Sequence, residues 1–456
     1  MIVIRTNLAN SALMLPSLVI FIYKHTLRDG AKIVTQSNRL QIVTNPSVSA
    51  SEDFSQPLVQ TPIAASCEIC VIVPVRDEVA TLEATLDALA NQIDLNAKPL
   101  DQNCYEIILL ANNCSDRSVA IAHQFANAHP DLNLHIVERT LPIVEAHIGR
   151  VRQMLMNEAY HRLNRLGHKR GVIASTDGDS QVSPTWIAAI LYEIARGADA
   201  VGGRIVLDPS GLARLSAHAR AYHLREVGYR SLIAELESYL DPDSHNPFPR
   251  HYQNYGASLA VTAEIYAQAG GMPLVRSPED VALYKALLRV NARFRHSPIV
   301  RVVTSARQTG RTQMGLANQL SEWTAMEQPF LVESAGAIVT RLRARQQLRS
   351  LWLQILNGYQ PALMSIETIA RVLKISMQWL IQELSQPQTF GLLFERVEQR
   401  QQEEGVWSKR WALVEIRQAI QELRLCLEPL RPAGVSLNSE FAAITICAQA
   451  SASESA

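Results

Sequence analysis

From Ile69 to Gly197 short apolar runs alternate with longer amphipathic stretches, and this alternation restricts the chain to few architectures. Strands are expected at Ile69 to Val73, Tyr105 to Leu110, Leu132 to Val137 and Val172 to Ser175. Between them, helices are expected from Ala80 to Asn91, with Leu82, Leu86 and Leu89 on one face, from Ser115 to Ala128, and around Ile148 to Leu166. In the last of these, Ile148, Val151, Leu155, Ala159 and Leu163 recur every three or four residues, the period of a helix with one buried face. Ser183-Pro184 reads as the start of a further helix, with Ser as N-cap and Pro in the first turn, and Gly197 as its end. Such alternation predicts an α/β fold: a mostly parallel sheet with helices on both faces.

The fourth strand stops on Asp177-Gly178-Asp179. Side chains alternate along a strand, but glycine lets the backbone turn where the strand ends, so both carboxylates can converge on one hard cation bridging phosphate oxygens. Asp-Gly-Asp also forms ordinary turns. Its place at the carboxyl end of a strand favours the ligand reading, because open α/β sheets bind ligands there.

The 456 residues are 47% hydrophobic and 19% charged, with a formal net charge of zero. That is a globular composition of two or three domains, with no overall field to gather nucleic acid. Six scattered cysteines are too few for a disulfide framework, so reduced thiols in the cytoplasm are expected. Cys67 and Cys70 have metal-site spacing, but along a strand residues three apart point to opposite faces, and no second pair follows. The apolar run Ser11 to Tyr23 is shorter than the roughly 20 residues of a spanning helix, and it makes a poor signal peptide.

The next segment holds a strand at Ala200 to Leu207, helical pattern around Arg214 to Tyr239, a Pro-rich loop, a run from Gly256 to Val261 and a helix ending at Gly270-Gly271. Ser277-Pro278-Glu279-Asp280 then precede an apolar helix, which places both acids at its positive end. First-turn acids are common for that reason alone, and the same end depresses a carboxylate pKa, so a working base there needs partial burial. Arg307 and Arg311 follow the strand Ile299 to Thr304 and share a face if that segment is helical. Guanidinium groups at such a place suit phosphate.

Five segments in order, Val73 to Glu78, Leu110 to Asp116, Asp177-Gly178-Asp179, Ser277 to Asp280 and Thr304 to Arg311, make residues 68 to 312 resemble a family 2 glycosyltransferase with the GT-A fold. The resemblance implies a nucleotide-diphospho-sugar donor gripped by the first-strand loop (Pro74, Arg76, Asp77, Glu78). It further implies base recognition near Asn112, whose amide offers both a donor and an acceptor, and donor contacts from Arg150, with His147 and Arg152 beside it. Asp179 is the expected direct ligand of Mg²⁺ or Mn²⁺, with Asp177 binding through water or holding the donor ribose. Asp280, paired with Glu279, is the expected general base, and Arg307 and Arg311 are expected near the diphosphate. Asp77 stands where the family often has Asn, and Leu110-Ala111-Asn112-Asn113 lacks a common Asp, which leaves the donor base open.

From these residues the chain divides into an N-terminal extension (1–66), a GT-A domain (67–312), a helical C-terminal region (313–432) and a tail (433–456). The function expected is metal-dependent transfer of a sugar to an acceptor hydroxyl on a small molecule, lipid or polysaccharide, with inversion. The rivals are a nucleotidyltransferase, which normally has a Gly-rich loop where this chain reads Arg76-Asp77-Glu78-Val79, and a non-catalytic binding subunit. Residues 301–349 carry seven Arg against Glu322, Glu327 and Glu333. Arg341, Arg345 and Arg349 share a helical face, which is either solvated or a peripheral contact with an anionic membrane or a phosphate-bearing acceptor.

Overall fold

A computed structural model describes residues 57–310, 315–325, 329–386 and 388–431. The extension before residue 57, including Ser11 to Tyr23, lies outside them, as do Arg311 and the tail. The elements of the first half are β1 (Ile69–Val75), α1 (Leu82–Ala90), β2 (Tyr105–Asn112), α2 (Ser118–Ala128), β3 (Leu134–Arg139), α3 (Ile148–Arg165), β4 (Val172–Ser175), β5 (Ser180–Val182), α4 (Trp186–Ala195) and β6 (Ala200–Leu207). They continue through α5 (Pro209–Arg214), α6 (Ala217–Leu240), β7 (Leu259–Thr262), α7 (Ala263–Gln268), α8 (Glu279–Arg289) and β8 (Phe294–Thr304). The C-terminal part holds α9 (Leu316–Ala325), β9 (Leu331–Glu333), α10 (Ala335–Leu356), α11 (Leu363–Leu373), α12 (Met377–Leu384), α13 (Phe390–Glu403), α14 (Val406–Arg410), β10 (Leu413–Glu415) and α15 (Ile416–Leu427).

Eight strands form one sheet in the order β3-β2-β1-β4-β7-β6-β8-β5. β3, β2, β1 and β4 pair in parallel, as do β6 and β8, while β7 and β5 run against their neighbours. The period of two in β1 divides the core: Ile69, Val71, Val73 and Val75 pack toward α1, α2 and α4, and Cys70 and Ile72 toward α3, α7 and α8. The expected α/β sheet with helices on both faces and a helical C-terminal region is the observed architecture. No described helix is long and apolar enough to cross a membrane.

Local differences from the sequence reading have physical reasons. Residues after Asp179 form β5 on the sheet edge, and the next helix begins at Trp186 with Thr185 as N-cap, so Ser183 does not cap it. Packed chain reaches further toward the N-terminus than Cys67: Val59 is buried, and the Leu58 N–H donates to Glu158 at 2.8 Å. Cys67 lies ahead of β1 rather than in it, so strand alternation does not separate it from Cys70. Both thiols are buried beside Glu106.

The arginine face of α10 is engaged in ion pairs within the protein rather than simply solvated. Arg341 pairs with Glu333 at 2.9 Å, Arg345 with Glu237 and Asp241, and Arg349 with Asp241 at 3.0 Å. Glu237 and Asp241 sit at the end of α6, so these pairs join the C-terminal helices to the sheet domain. Helical spacing in a sequence cannot reveal acids supplied by a segment 100 or so positions earlier.

Arg162 of α3 and Glu106 of β2 form a fully buried pair at 2.6 Å. Burial alone raises the Glu106 pKa, but hydrogen bonds from Arg162, His135 and Cys70 outweigh it and bring it down to about 2 from 4.5. A carboxylate with a depressed pKa stabilises the fold above its unfolded pKa and loses that contribution as pH falls toward its folded one. Replacing Arg162 by Met should therefore cost about 3 kcal/mol at pH 7, and the deficit should shrink between pH 4.5 and 2. Urea unfolding at pH 7 and near pH 3 checks both the size and the pH trend.

Candidate active site

The site is built where β4 ends. The Gly178 carbonyl accepts hydrogen bonds from Thr81 Oγ1 at 3.2 Å and Thr85 Oγ1 at 3.1 Å, which fixes the Asp-Gly-Asp turn against the start of α1. A Cβ on Gly178 would lie 3.1 Å from Val75 and 3.2 Å from Glu78, so glycine is what lets the turn approach the end of β1. This close approach gathers Glu78, Asp177 and Asp179.

Two arginines hold these acids. Arg307 donates to Glu78 at 2.7 and 3.1 Å and pairs with Asp179 at 3.0 Å. Burial works against its charge, but the Glu78 hydrogen bonds and the Asp179 charge outweigh this and raise its pKa. Residues 305–310 are not helical, so Arg307 reaches the site from a loop, and the condition for its sharing a helical face with Arg311 is not met there. Arg152 of α3, buried, pairs with Asp177 at 2.6 Å and with Glu279 at the start of α8. Gly256 makes room for it, since a Cβ there would meet the guanidinium carbon at 2.3 Å.

The acid pair divides by exposure. Glu279 is 4% exposed and neutralised by Arg152. Asp280 is half-buried, and its Oδ2 accepts the Gly256 N–H at 2.9 Å.

The first-strand loop is tied to the loop after β2. Asp77, at φ +53°, accepts from the Ser115 N–H at 2.6 Å, the Ser115 hydroxyl and the Asp116 N–H. The Ser115 backbone hydrogen bond is the main reason its pKa lies below the usual range. Asp116 in turn accepts from the Val79 and Ser118 N–H groups, so these carboxylates staple the loops after β1 and β2 together. Asn113, also at positive φ, exchanges two hydrogen bonds with Leu141. Pro74 ends within β1, and Arg76 donates to the Ala146 carbonyl. Arg150 contacts Gln153 and Glu145, while His147 caps α3 by accepting the Arg150 N–H. Burial, then Arg276 and Arg150, lower the His147 pKa. Asn112 is buried at the end of β2, and its Oδ1 has no hydrogen-bond partner among the described residues.

Oxygen donors at Asp177 and Asp179 fit Mg²⁺ or Mn²⁺, which take one or two carboxylates and fill the rest of their shell with water and substrate phosphate. Glu78, Asp177, Asp179 and Glu279 are gathered there around Arg152 and Arg307. Among the described residues, potential ligands also gather as Cys67, Cys70 and Glu106 and as Asp77, Cys114 and Asp116. In the first group Arg162 and His135 occupy Glu106. In the second, backbone N–H groups occupy Asp77 and Asp116.

The start of α3 meets the loop before the acid pair at Gly149, where a Cβ would fall 1.7 Å from the Val275 carbonyl oxygen. Gly149→Ala should force the two backbones apart and destabilise the domain by about 1–3 kcal/mol. Urea unfolding measures this, and unchanged stability would show that the contact is not needed.

No curated protein matches this chain. Among solved structures, the mannosyltransferase PcManGT from Pyrobaculum calidifontis, in complex with GDP-Man and Mn²⁺, is similar at 15% identity, over 82% of this chain and 91% of its own, with a TM-score of 0.37. S. aureus TarS 1–349 in complex with UDP-GlcNAc is similar at 14% identity, over 74% of this chain and 92% of its own, with a TM-score of 0.40. Residues 70–248 match the family described as glycosyl transferase family 2. The stretch of β-strands and helices that carries Asp177 and Asp179 is thus a family 2 glycosyltransferase domain.

Proposed function

We propose that this enzyme moves a sugar from a nucleotide diphosphate donor to an acceptor hydroxyl by single displacement with inversion, using a divalent cation held by Asp179 and Asp177. The observation that carries the proposal is the convergence of Asp177 and Asp179 with Glu78 and Glu279, around Arg152 and Arg307, at the carboxyl end of β4. A bound Mg²⁺ or Mn²⁺ supplies Lewis-acid neutralisation of the diphosphate leaving group.

The chain's own residues do the rest. Asn112 offers a buried amide oxygen to an N–H of the donor base, which satisfies an otherwise unpaired acceptor. Arg307 already lies against Asp179 and can exchange that carboxylate for a phosphate oxygen, for which its fork is shaped. Asp280 takes the proton of the acceptor hydroxyl. Glu279 is the weaker candidate, because its pairing with Arg152 stabilises the ionised form and burial limits access. The Gly256 N–H and the start of α8 hold Asp280 in place.

Thermal shifts of the full chain with nucleoside diphosphates, with and without Mn²⁺, test the donor reading. A ligand at 100 times its dissociation constant should add about 2.7 kcal/mol of stability, and Asp179→Asn should abolish the metal-dependent part. An Asp179→Asn protein that retains it would refute the metal assignment.

Asp280→Asn keeps the shape but cannot accept a proton. It should lower turnover by about 10² to 10⁴ with donor affinity little changed. If Glu279→Gln is the inactive variant and Asp280→Asn turns over normally, the two roles are reversed.

A further inference from the structure

Arg152, Arg162, Arg230, Arg307 and Arg345 each face a carboxylate. Arg204 on β6 does not: it has no hydrogen-bond or ion-pair partner among the described residues, although it is half-buried. Its register partner across the β6–β8 pairing is another arginine, Arg301. Registered partners point to the same face of a sheet, so two guanidinium groups stand side by side. Arg301 spends only its Nε, on the Pro298 carbonyl.

The face they occupy follows from β8. Val300 and Val302 belong to the core shared with α1, α2 and α4, so Arg301 between them points to the opposite face, the one on which Ala200 and Phe294, at the other end of these strands, pack with α3 and α8. α8 begins with Glu279 and Asp280. Residues 251–256 connect the two places. His251 Nε2 lies 3.1 Å from the Gly202 and Ser297 carbonyls, Gln253 exchanges two hydrogen bonds with the Ile205 backbone, and Gly256 ends the segment on Asp280. Within it, Tyr252 is the phenol that bears on Arg204, and Tyr255 feels the Asp280 charge. Burial first, then the Arg301 charge, lower the Arg204 pKa, the mark of a cation without its counter-ion.

We propose that Arg204 and Arg301 form an anion subsite on the acceptor side of the site, so that the acceptor carries a phosphate or carboxylate group near the hydroxyl that Asp280 deprotonates. An anion between the two guanidinium groups removes their mutual repulsion and gains charge-assisted hydrogen bonds. The proposal rests on the glycosyl-transfer reading above for its placement beside a base, while the anion site itself can be tested separately.

The test uses the full chain with its donor site filled by Mg²⁺ and the nucleoside diphosphate that gives the largest thermal shift. Inorganic phosphate and malonate are titrated at matched ionic strength, the first probing a phosphate and the second a carboxylate. Saturable binding of at least one is expected. Arg204→Gln and Arg301→Gln should each weaken it by about tenfold to a hundredfold, Arg204→Lys should weaken it less, and nucleotide binding should be unchanged in all three. Binding of neither probe by the wild type, or undiminished binding by both Gln variants, overturns the subsite. If no nucleoside diphosphate binds the wild type, the donor reading fails, and anion binding that Arg204→Gln abolishes still establishes the subsite.

Discussion

The sharing of four carboxylates between Arg152 and Arg307 is the constraint on which the rest of this site depends. Carboxylates this close repel one another, and burial of Glu78 and Glu279 makes each unpaired charge expensive. The two arginines make the arrangement tolerable. They also tie together parts distant in sequence: Arg307 links the loop after β8 to the loops after β1 and β4, and Arg152 links α3 to β4 and α8. Several glycines serve this geometry. Gly178 lets the aspartate turn approach β1, Gly256 leaves room for the Arg152 guanidinium, and Gly149 lets α3 touch the loop before the acid pair.

The helical C-terminal region braces the same machinery from behind. α13 docks on the far end of α8 through Arg289 and Glu395 at 2.5 Å, and through Gly391, whose N–H donates to Asn291. A Cβ on Gly391 would fall 1.8 Å from the Leu288 carbonyl oxygen, so the contact is backbone against backbone. α10 fastens to α6 through its arginines, and its two halves lie in different apolar clusters, one with α6 and α15 and one with α11 to α13. The helix carrying Glu279 and Asp280 is therefore clamped at both ends, by Arg152 at its start and α13 at its finish.

Much of this was legible in the sequence because it is local. Strand and helix periodicity located the four leading strands and the buried face of α3, and Asp177-Gly178-Asp179 and Glu279-Asp280 marked element ends that the fold does bring to one place. The partners of those acids were not legible, since Arg152 and Glu279 are 127 positions apart and Arg307 and Glu78 are 229. The same limit hid the partners of Arg345 and Arg349 on α10, which come from the end of α6 and the residue after it. The hydrogen bonds that Asp77 accepts from Ser115 and Asp116 were not legible either, since they depend on its left-handed backbone and on a loop 38 positions away. Cys67 and Cys70 were separated by a strand rule that does not apply, because Cys67 precedes the strand. β5 is three residues long, too short for any periodic signal.

The central claim is that the cation and the nucleotide meet at the Asp177–Asp179 turn. Anomalous diffraction at the manganese edge, from crystals grown with Mn²⁺ and a nucleoside diphosphate, tests it most directly. The account predicts a single strong peak within ligand distance of Asp179, with phosphate density between it and Arg307. A peak at Asp77, Cys114 and Asp116 instead, or nucleotide bound with no metal at Asp179, would contradict it.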